Sequence, residues 1–294
     1  MSERYLTFDG KRTSIAVLQW GKVLLSGGGI EDYAVSVEVL LSHVLNKSRS
    51  EILLDSESIL TEKEISEYQQ LLDRRLNREP LQYITGVTEF YNVIIKCDKR
   101  ALIPRPETEI LCDYVINTMK TSSNASILDI GTGTGNIAIT LAKNLAGSRL
   151  TSVDVSGDAT DLANENARLN EVDNKIDFKV GDIFDDCLID LLGKYDCIVS
   201  NPPYVGEDEK GILQPEVIEH EPHQALFSGD DNLVFYKRIS EISGQLLESG
   251  GILAMEMGLG QSEKIVDIMA GSFSDIDIIK DLAGIKRVIT GLKK

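Results

Sequence analysis

The sequence predicts an α/β protein with a mostly parallel sheet, preceded by a helical bundle. Three observations carry that prediction. Strand-like and helix-like stretches alternate from about residue 101 onward, whereas residues 13 to about 80 read as helical throughout. A turn with three glycines, Gly131-Thr132-Gly133-Thr134-Gly135, falls between a strand, "SILDI", and a helix, "NIAITLAKNLA". A buried-strand pattern, "YDCIVS", runs straight into Asn201-Pro202-Pro203-Tyr204, two prolines that cannot donate to a ladder.

The elements follow in order. "IAVLQWGKVLL" is an apolar-rich helix stopped by the glycines of "SGGG" at 26–29. "YAVSVEVLLSHVL" carries apolar residues close to helical spacing, and "TEKEISEYQQLLDRRL" opens on Thr61 and Glu64, a capping-box pair, and stops before Pro80. These helices define a first domain over residues 1–82. From residue 83 to 97 the period changes and β-branched and aromatic residues dominate, with Asn92 as the turn, which predicts a β-hairpin linker over 83–100. Pro104 and Pro106 then fix the chain, and Pro106 suits the first turn of the helix that follows. The second domain, 101–294, continues with the strands "SILDI", "LTSVDV", "IDFKV", "YDCIVS" and "GGILAMEM" between helices, and closes on "IDIIKDL" and "IKRVITGL" as a terminal hairpin. Alternation of this kind argues helices on both faces of the sheet.

Composition narrows the function. The chain has 294 residues, 42% of them hydrophobic, and a net charge of −17. That balance disfavours a protein that wraps nucleic acid, which usually carries a basic footprint, so no direct nucleic-acid partner is expected. No apolar run approaches the ~18 residues of a membrane span, and the first residues have no apolar signal segment, so no membrane partner is expected. Cys97, Cys112, Cys187 and Cys197 form no CxxC pair, which suits reduced thiols in the cytoplasm. His220, Glu221 and His223 make H-E-x-H, not the zinc-binding H-E-x-x-H, and no metal site is expected.

Four motifs carry chemistry. The glycine turn lets backbone approach a ligand at the end of a strand, but it is neither G-x-G-x-x-G nor a P-loop. Asp154 ends the next strand, where a carboxylate can accept both hydroxyls of a ribose. In "GDIF", Asp182 is placed to bond an adenine amino group and Ile183 to pack on its ring. Asn201 precedes a proline and is held extended. Its side-chain oxygen and the Pro202 carbonyl can accept two N–H bonds from one planar –NH2 group, on which Tyr204 can stack. In a doubly wound sheet this loop faces the glycine turn across the ligand crevice.

"LDIGTGTGN" together with "NPPY" resembles the class I S-adenosylmethionine-dependent methyltransferases that modify planar nitrogens. "EPLQYITGVTEFY", "LIPRPETE" and "EPHQALFSGDDNL" are similar to the PrmC/HemK family of peptide chain release factor glutamine methyltransferases. The resemblance implies a Rossmann-like, seven-stranded, mostly parallel sheet and S-adenosylmethionine as cofactor. It implies cofactor binding by Gly131, Thr132, Gly133, Thr134, Gly135, Asp154, Asp182, Ile183 and Asn201. It implies substrate binding by Asn201, Pro202, Pro203 and Tyr204, with Asn201, Pro202 and Tyr204 catalytic. The protein substrate is then a class I release factor, methylated on N5 of the Gly-Gly-Gln glutamine, with the helical domain as docking module. Arg105, Glu107 and Glu109 of "PRPETE" are expected near the pocket. Some relatives carry an aromatic residue where this chain has Ile183. Adenine also presents a planar –NH2, so an adenine-N6 DNA methyltransferase is an alternative, as are a glutamine methyltransferase of a ribosomal protein and a non-catalytic nucleotide-binding protein.

Overall fold

The computed structural model describes residue 8 and residues 10–122 and 124–294. The first residues of the helical domain expected over 1–82, namely 1–7 and 9, lie outside the described residues. Two compact units form: residues up to Gly86 together with Gln214–His220, and Val87–Leu213 together with Glu221–Lys294.

The first unit is helical. α1 (Ser14–Gly27), α2 (Tyr33–Leu45), α3 (Arg49–Leu54) and α4 (Glu62–Leu76) enclose a core of Val17, Leu25, Val37, Leu40, Leu41 and Leu72. Thr61 and Glu64 make the capping box at the start of α4: the Thr61 hydroxyl accepts from the Glu64 N–H at 3.2 Å, and the Glu64 carboxylate accepts from the Thr61 N–H at 2.7 Å. Ser48 and Glu51 repeat the device on α3, a helix the sequence pattern did not announce. Tyr68 of α4 is fully buried and donates its hydroxyl to the Val37 carbonyl at 3.2 Å. Gly21 makes room for it, since a Cβ at that position would stand 2.5 Å from the Tyr68 oxygen.

The expected hairpin begins later than its sequence pattern. Leu81–Thr85 form a short helix, α5, with Pro80 ahead of it and Gly86 ending it at φ 76°. Proline pre-sets helical φ next to α5, and glycine takes the left-handed terminating position, so Tyr83 and Thr85 are helical despite their β propensity. β1 (Val87–Phe90) and β2 (Val93–Lys96) then pair antiparallel around Tyr91 and Asn92, both with positive φ, and this hairpin belongs to the second unit.

The rest of the second unit is the predicted α/β alternation. α6 (Thr108–Met119), β3 (Ser126–Ile130), α7 (Asn136–Asn144), β4 (Arg149–Asp154), α8 (Gly157–Leu169), β5 (Ile176–Val180), α9 (Asp186–Leu191) and β6 (Tyr195–Ser200) come first. The chain then contributes α10 (Pro215–His220) to the helical unit before returning for α11 (His223–Leu226). α12 (Val234–Leu246), β7 (Leu247–Glu256), α13 (Ser262–Met269), β8 (Phe273–Lys280) and β9 (Lys286–Lys293) complete it. The seven strands are ordered β5-β4-β3-β6-β7-β9-β8, parallel from β5 to β7, with β9 antiparallel to both neighbours. α6 begins two residues after Pro106, behind i→i+3 turns such as the Glu109 N–H to the Pro106 carbonyl at 3.1 Å. β3 lies beside β6, so the order reverses between β4 and β6 and opens a crevice at the carboxyl ends of these strands. One face of the sheet packs on Tyr236, Ile239, Ile242 and Ile265 of α12 and α13, in one buried cluster with Leu128, Ile130, Val153 and Ile198 of the strands.

Candidate active site

The carboxyl end of β3 turns through Gly131, Gly133 and Gly135 at φ 85°, 53° and 80°, a left-handed path that residues with side chains rarely take. The N–H groups of Gly131 and Thr132 donate to the Val153 carbonyl at 2.8 and 3.2 Å, which ties the turn to β4. Asp154 follows Val153. Its Oδ2 accepts from the Gly133 N–H at 2.8 Å and its Oδ1 from the Ser156 N–H at 2.9 Å. Burial lifts its carboxyl above the usual range, and these backbone donors oppose the shift. Behind the turn, Thr132 and Ser152 hydroxyls meet at 2.7 Å, and Ser152 donates to Asp129 Oδ2 at 2.7 Å.

A cavity of about 270 Å³ lies over this turn. Its wall includes Gly131, Thr132, Gly133, Thr134, Asp154, Asp182, Ile183, Asn201, Pro202 and Pro203, so the structure brings together most of the residues singled out from sequence. Gly135 is not in the wall; a Cβ there would stand 3.0 Å from that of Ala163, so this glycine serves the packing of the turn on α8. Asp182 accepts from the Phe184 N–H at 2.9 Å. Phe184 and Phe235 also line the cavity, with rings edge to face at 5.5 Å between centroids. An aromatic surface therefore stands one residue beyond Ile183. Asn136 and Ile137 border the cavity at the start of α7, which has no side-chain cap, so helix N–H donors remain for an anion.

This donor set fits S-adenosylmethionine. Asp154 suits a ribose diol, Ile183 with Phe184 and Phe235 an adenine ring, the uncapped start of α7 a carboxylate, and the neighbouring acids a sulfonium charge.

Opposite the turn, Asn201 follows β6. A Cβ on Gly131 would stand 3.7 Å from the Asn201 carbonyl oxygen, so the two segments are near contact. Asn201 Nδ2 donates to Thr108 Oγ1 at 3.1 Å, and Thr108 donates to Glu256 Oε2 at 2.6 Å. Tyr204 is not part of the cavity wall. Its hydroxyl donates to Glu256 Oε1 at 3.3 Å, and its carbonyl accepts from Gln261 Nε2 at 2.9 Å. Of the "PRPETE" residues, Arg105 lines the cavity and donates to the buried Glu221 at 2.5 Å. Glu107 instead accepts from Arg287 at 3.3 Å, and Glu109 from the Tyr91 N–H at 2.9 Å. Glu221 also holds the Ile103 N–H at 3.0 Å. Sequence reading gave no role to Thr108, Glu221, Phe184, Phe235 or Glu256. Thr108, Phe184 and Glu221 each fell inside a motif it singled out, "LIPRPETE", "GDIF" and "EPHQALFSGDDNL".

The sheet order, the glycine turn on β3 and the acid ending β4 define a class I S-adenosylmethionine-dependent methyltransferase. The family model for the PrmC N-terminal domain matches residues 16–86, and that for the methyltransferase small domain matches residues 108–239. The chain belongs to the release factor glutamine methyltransferase family. It is 40% identical over 253 residues to the "Release factor glutamine methyltransferase" of Thermodesulfovibrio yellowstonii, covering 85% of this chain and 89% of that one. It is 36% identical over 287 residues to the protein of that name from Fusobacterium nucleatum, covering 97% and 80%. A solved "protein-(glutamine-N5) methyltransferase (release factor-specific)" from Alicyclobacillus acidocaldarius matches at 25% identity and a TM-score of 0.42, over 65% of this chain and 94% of that one.

Proposed function

We propose that this protein methylates the side-chain amide nitrogen, N5, of the glutamine in the Gly-Gly-Gln tripeptide of class I peptide chain release factors. The observation that carries this reading is the state of Asn201. Its Nδ2 is engaged by Thr108, while among the described residues nothing donates to its Oδ1 or to the Pro202 carbonyl. Two acceptors on a diproline bend match the two N–H donors of a primary amide. The names of the relatives favour an amide of a release factor over adenine in DNA.

A glutamine nitrogen is a poor nucleophile, because its lone pair is delocalised into the carbonyl, as the ~18–20 kcal/mol rotation barrier of an amide shows. Asn201 and Pro202 hold both amide hydrogens and so fix the plane of the group. Bound S-adenosylmethionine supplies an electrophilic methyl on a positively charged sulfur. As the amide nitrogen takes the methyl and gains positive character, its N–H bonds to Asn201 and Pro202 strengthen, so these contacts favour the transition state over the ground state; one of the two protons, now very acidic, then leaves to water. Asp154, Asp182, Ile183 and the glycine turn bind the methyl donor, and Pro203 stiffens the bend. Tyr204 serves by holding the loop against Glu256 and Gln261. The helical unit has its own core and none of its described residues lines the cavity, which supports a docking role for protein substrate. Four free cysteines support a reducing, cytoplasmic setting.

The test is incubation with methyl-labelled cofactor and recombinant release factor, with the mass gain mapped to a residue. One methyl on the tripeptide glutamine is expected. Asn201→Ala lowers kcat on the order of 10²–10³-fold and leaves cofactor affinity within a few-fold. A methyl on any other residue overturns the substrate; parallel loss of cofactor binding overturns the role of Asn201.

A further inference from the structure

Glu256 is 2% exposed at the end of β7, yet it is not part of the cavity wall. It takes the only hydrogen of the Thr108 hydroxyl, at 2.6 Å, and a second donor, Tyr204, reaches its other oxygen at 3.3 Å. Thr108, itself 1% exposed, lies between Glu256 and Asn201. A hydroxyl has one hydrogen to give. While a carboxylate accepts it, Thr108 can only accept from Asn201, which must present its –NH2 group to Thr108 and keep its oxygen on the other side. If residue 256 is neutral and donates to Thr108, the threonine hydrogen is freed for Asn201 Oδ1. The Asn201 amide then turns round and sets donors against the donors of a substrate amide.

We propose that Glu256, acting through Thr108, is the positioning residue that sets which way the Asn201 amide faces. The activity readouts of this proposal rest on the glutamine methylation proposed above; the orientation readout does not. The groups facing Glu256 come from every neighbouring element. Glu107 and Cys112 lie on or beside α6, Tyr204 follows β6, Tyr236 is on α12, and Arg287 on β9 is shared with Glu107 and Asp281. Burial lifts the Glu256 carboxyl to about 7, the Thr108 bond lowers it, and the Glu107 charge raises it. Burial also holds Tyr204, Tyr236 and Cys112 above their ordinary values, so none of them titrates near neutrality. The charged form is the orienting form, so turnover falls as pH drops through the Glu256 range.

The test uses the full chain with Glu256→Gln, Thr108→Val and Thr108→Ser. Glu256→Gln and Thr108→Val are expected to lower kcat roughly ten-fold or more, with cofactor Kd from calorimetry within about three-fold of the parent. Thr108→Ser keeps the hydroxyl and restores most of the turnover. The acid limb of the parent pH–kcat profile is lost in Glu256→Gln. Orientation is read without turnover, from the 15N-labelled Asn201 side-chain amide: its signal changes between pH 6 and pH 8 in the parent and stays constant in Glu256→Gln. Equal pH profiles in parent and Glu256→Gln overturn the proposal, as does an Asn201 amide signal insensitive to pH in the parent. If the parent itself transfers no methyl to a release factor, the substrate reading fails, and the amide signal still decides the role of Glu256.

Discussion

Asp129 shows how one buried residue can set the behaviour of a turn. It is fully buried in β3, accepts from Ser152 through one oxygen, and its Oδ1 meets no donor. An anion there would lack both water and a second partner. Burial accordingly raises the carboxyl to about 8; the Ser152 bond opposes this and the Asp154 charge adds to it. Because the folded value lies above the unfolded one, this group's stabilisation is complete below about pH 4 and is lost as pH rises toward about 8. Asp129→Asn stays neutral at every pH. The stability difference between variant and parent, from denaturant unfolding, is expected to shift in favour of the variant across that window, by at most about 1.4 kcal/mol per pH unit. A difference that stays flat would show Asp129 to be charged in the fold.

At the scale of elements, α1 and α4 approach closely because Gly21 has no side chain. A methyl at 2.5 Å from the Tyr68 oxygen forces either the helices apart or the tyrosine off its bond to Val37. Gly21→Ala is expected to destabilise the chain by roughly 1–3 kcal/mol despite alanine's better helix propensity, seen as a lower thermal midpoint. An unchanged or higher midpoint would mean the ring moves aside freely. Elements were legible in the sequence where the signal is local. The glycine turn, the strand-end Asp154 and the diproline bend each announce themselves within a few residues, and the mostly parallel sheet follows from the alternation. α5 was misread because proline and glycine at its ends outweigh the β propensity between them. The roles of Thr108, Glu221 and Glu256 went unread for a different reason. Thr108 and Asn201 are 93 residues apart, Thr108 and Glu256 148, and Arg105 and Glu221 116, so nothing local marks them as partners.

At the scale of the whole molecule, the second unit is interrupted. Between the Asn201 bend and Glu221 the chain gives up Gln214–His220 to the helical unit. Arg75, 6% exposed in its side chain, donates there to Glu216 at 3.1 Å and to Asp32 at 2.8 Å, and Arg78 donates to Glu216 at 3.3 Å. Burial alone would lift the Glu216 carboxyl; backbone and arginine contacts outweigh it and hold the group below the usual range. Glu216→Gln is expected to cost roughly 1–3 kcal/mol and to speed limited proteolysis between residues 207 and 220. Unchanged cleavage would show that the ion pairs do not anchor this segment. The interruption also orders events on the ribosome. Residues up to Gly86 emerge early, but Glu216 is translated only after the sheet's first four strands, so the amino-terminal core can close on its own while Arg75 meets Asp32 alone until that turn of helix arrives.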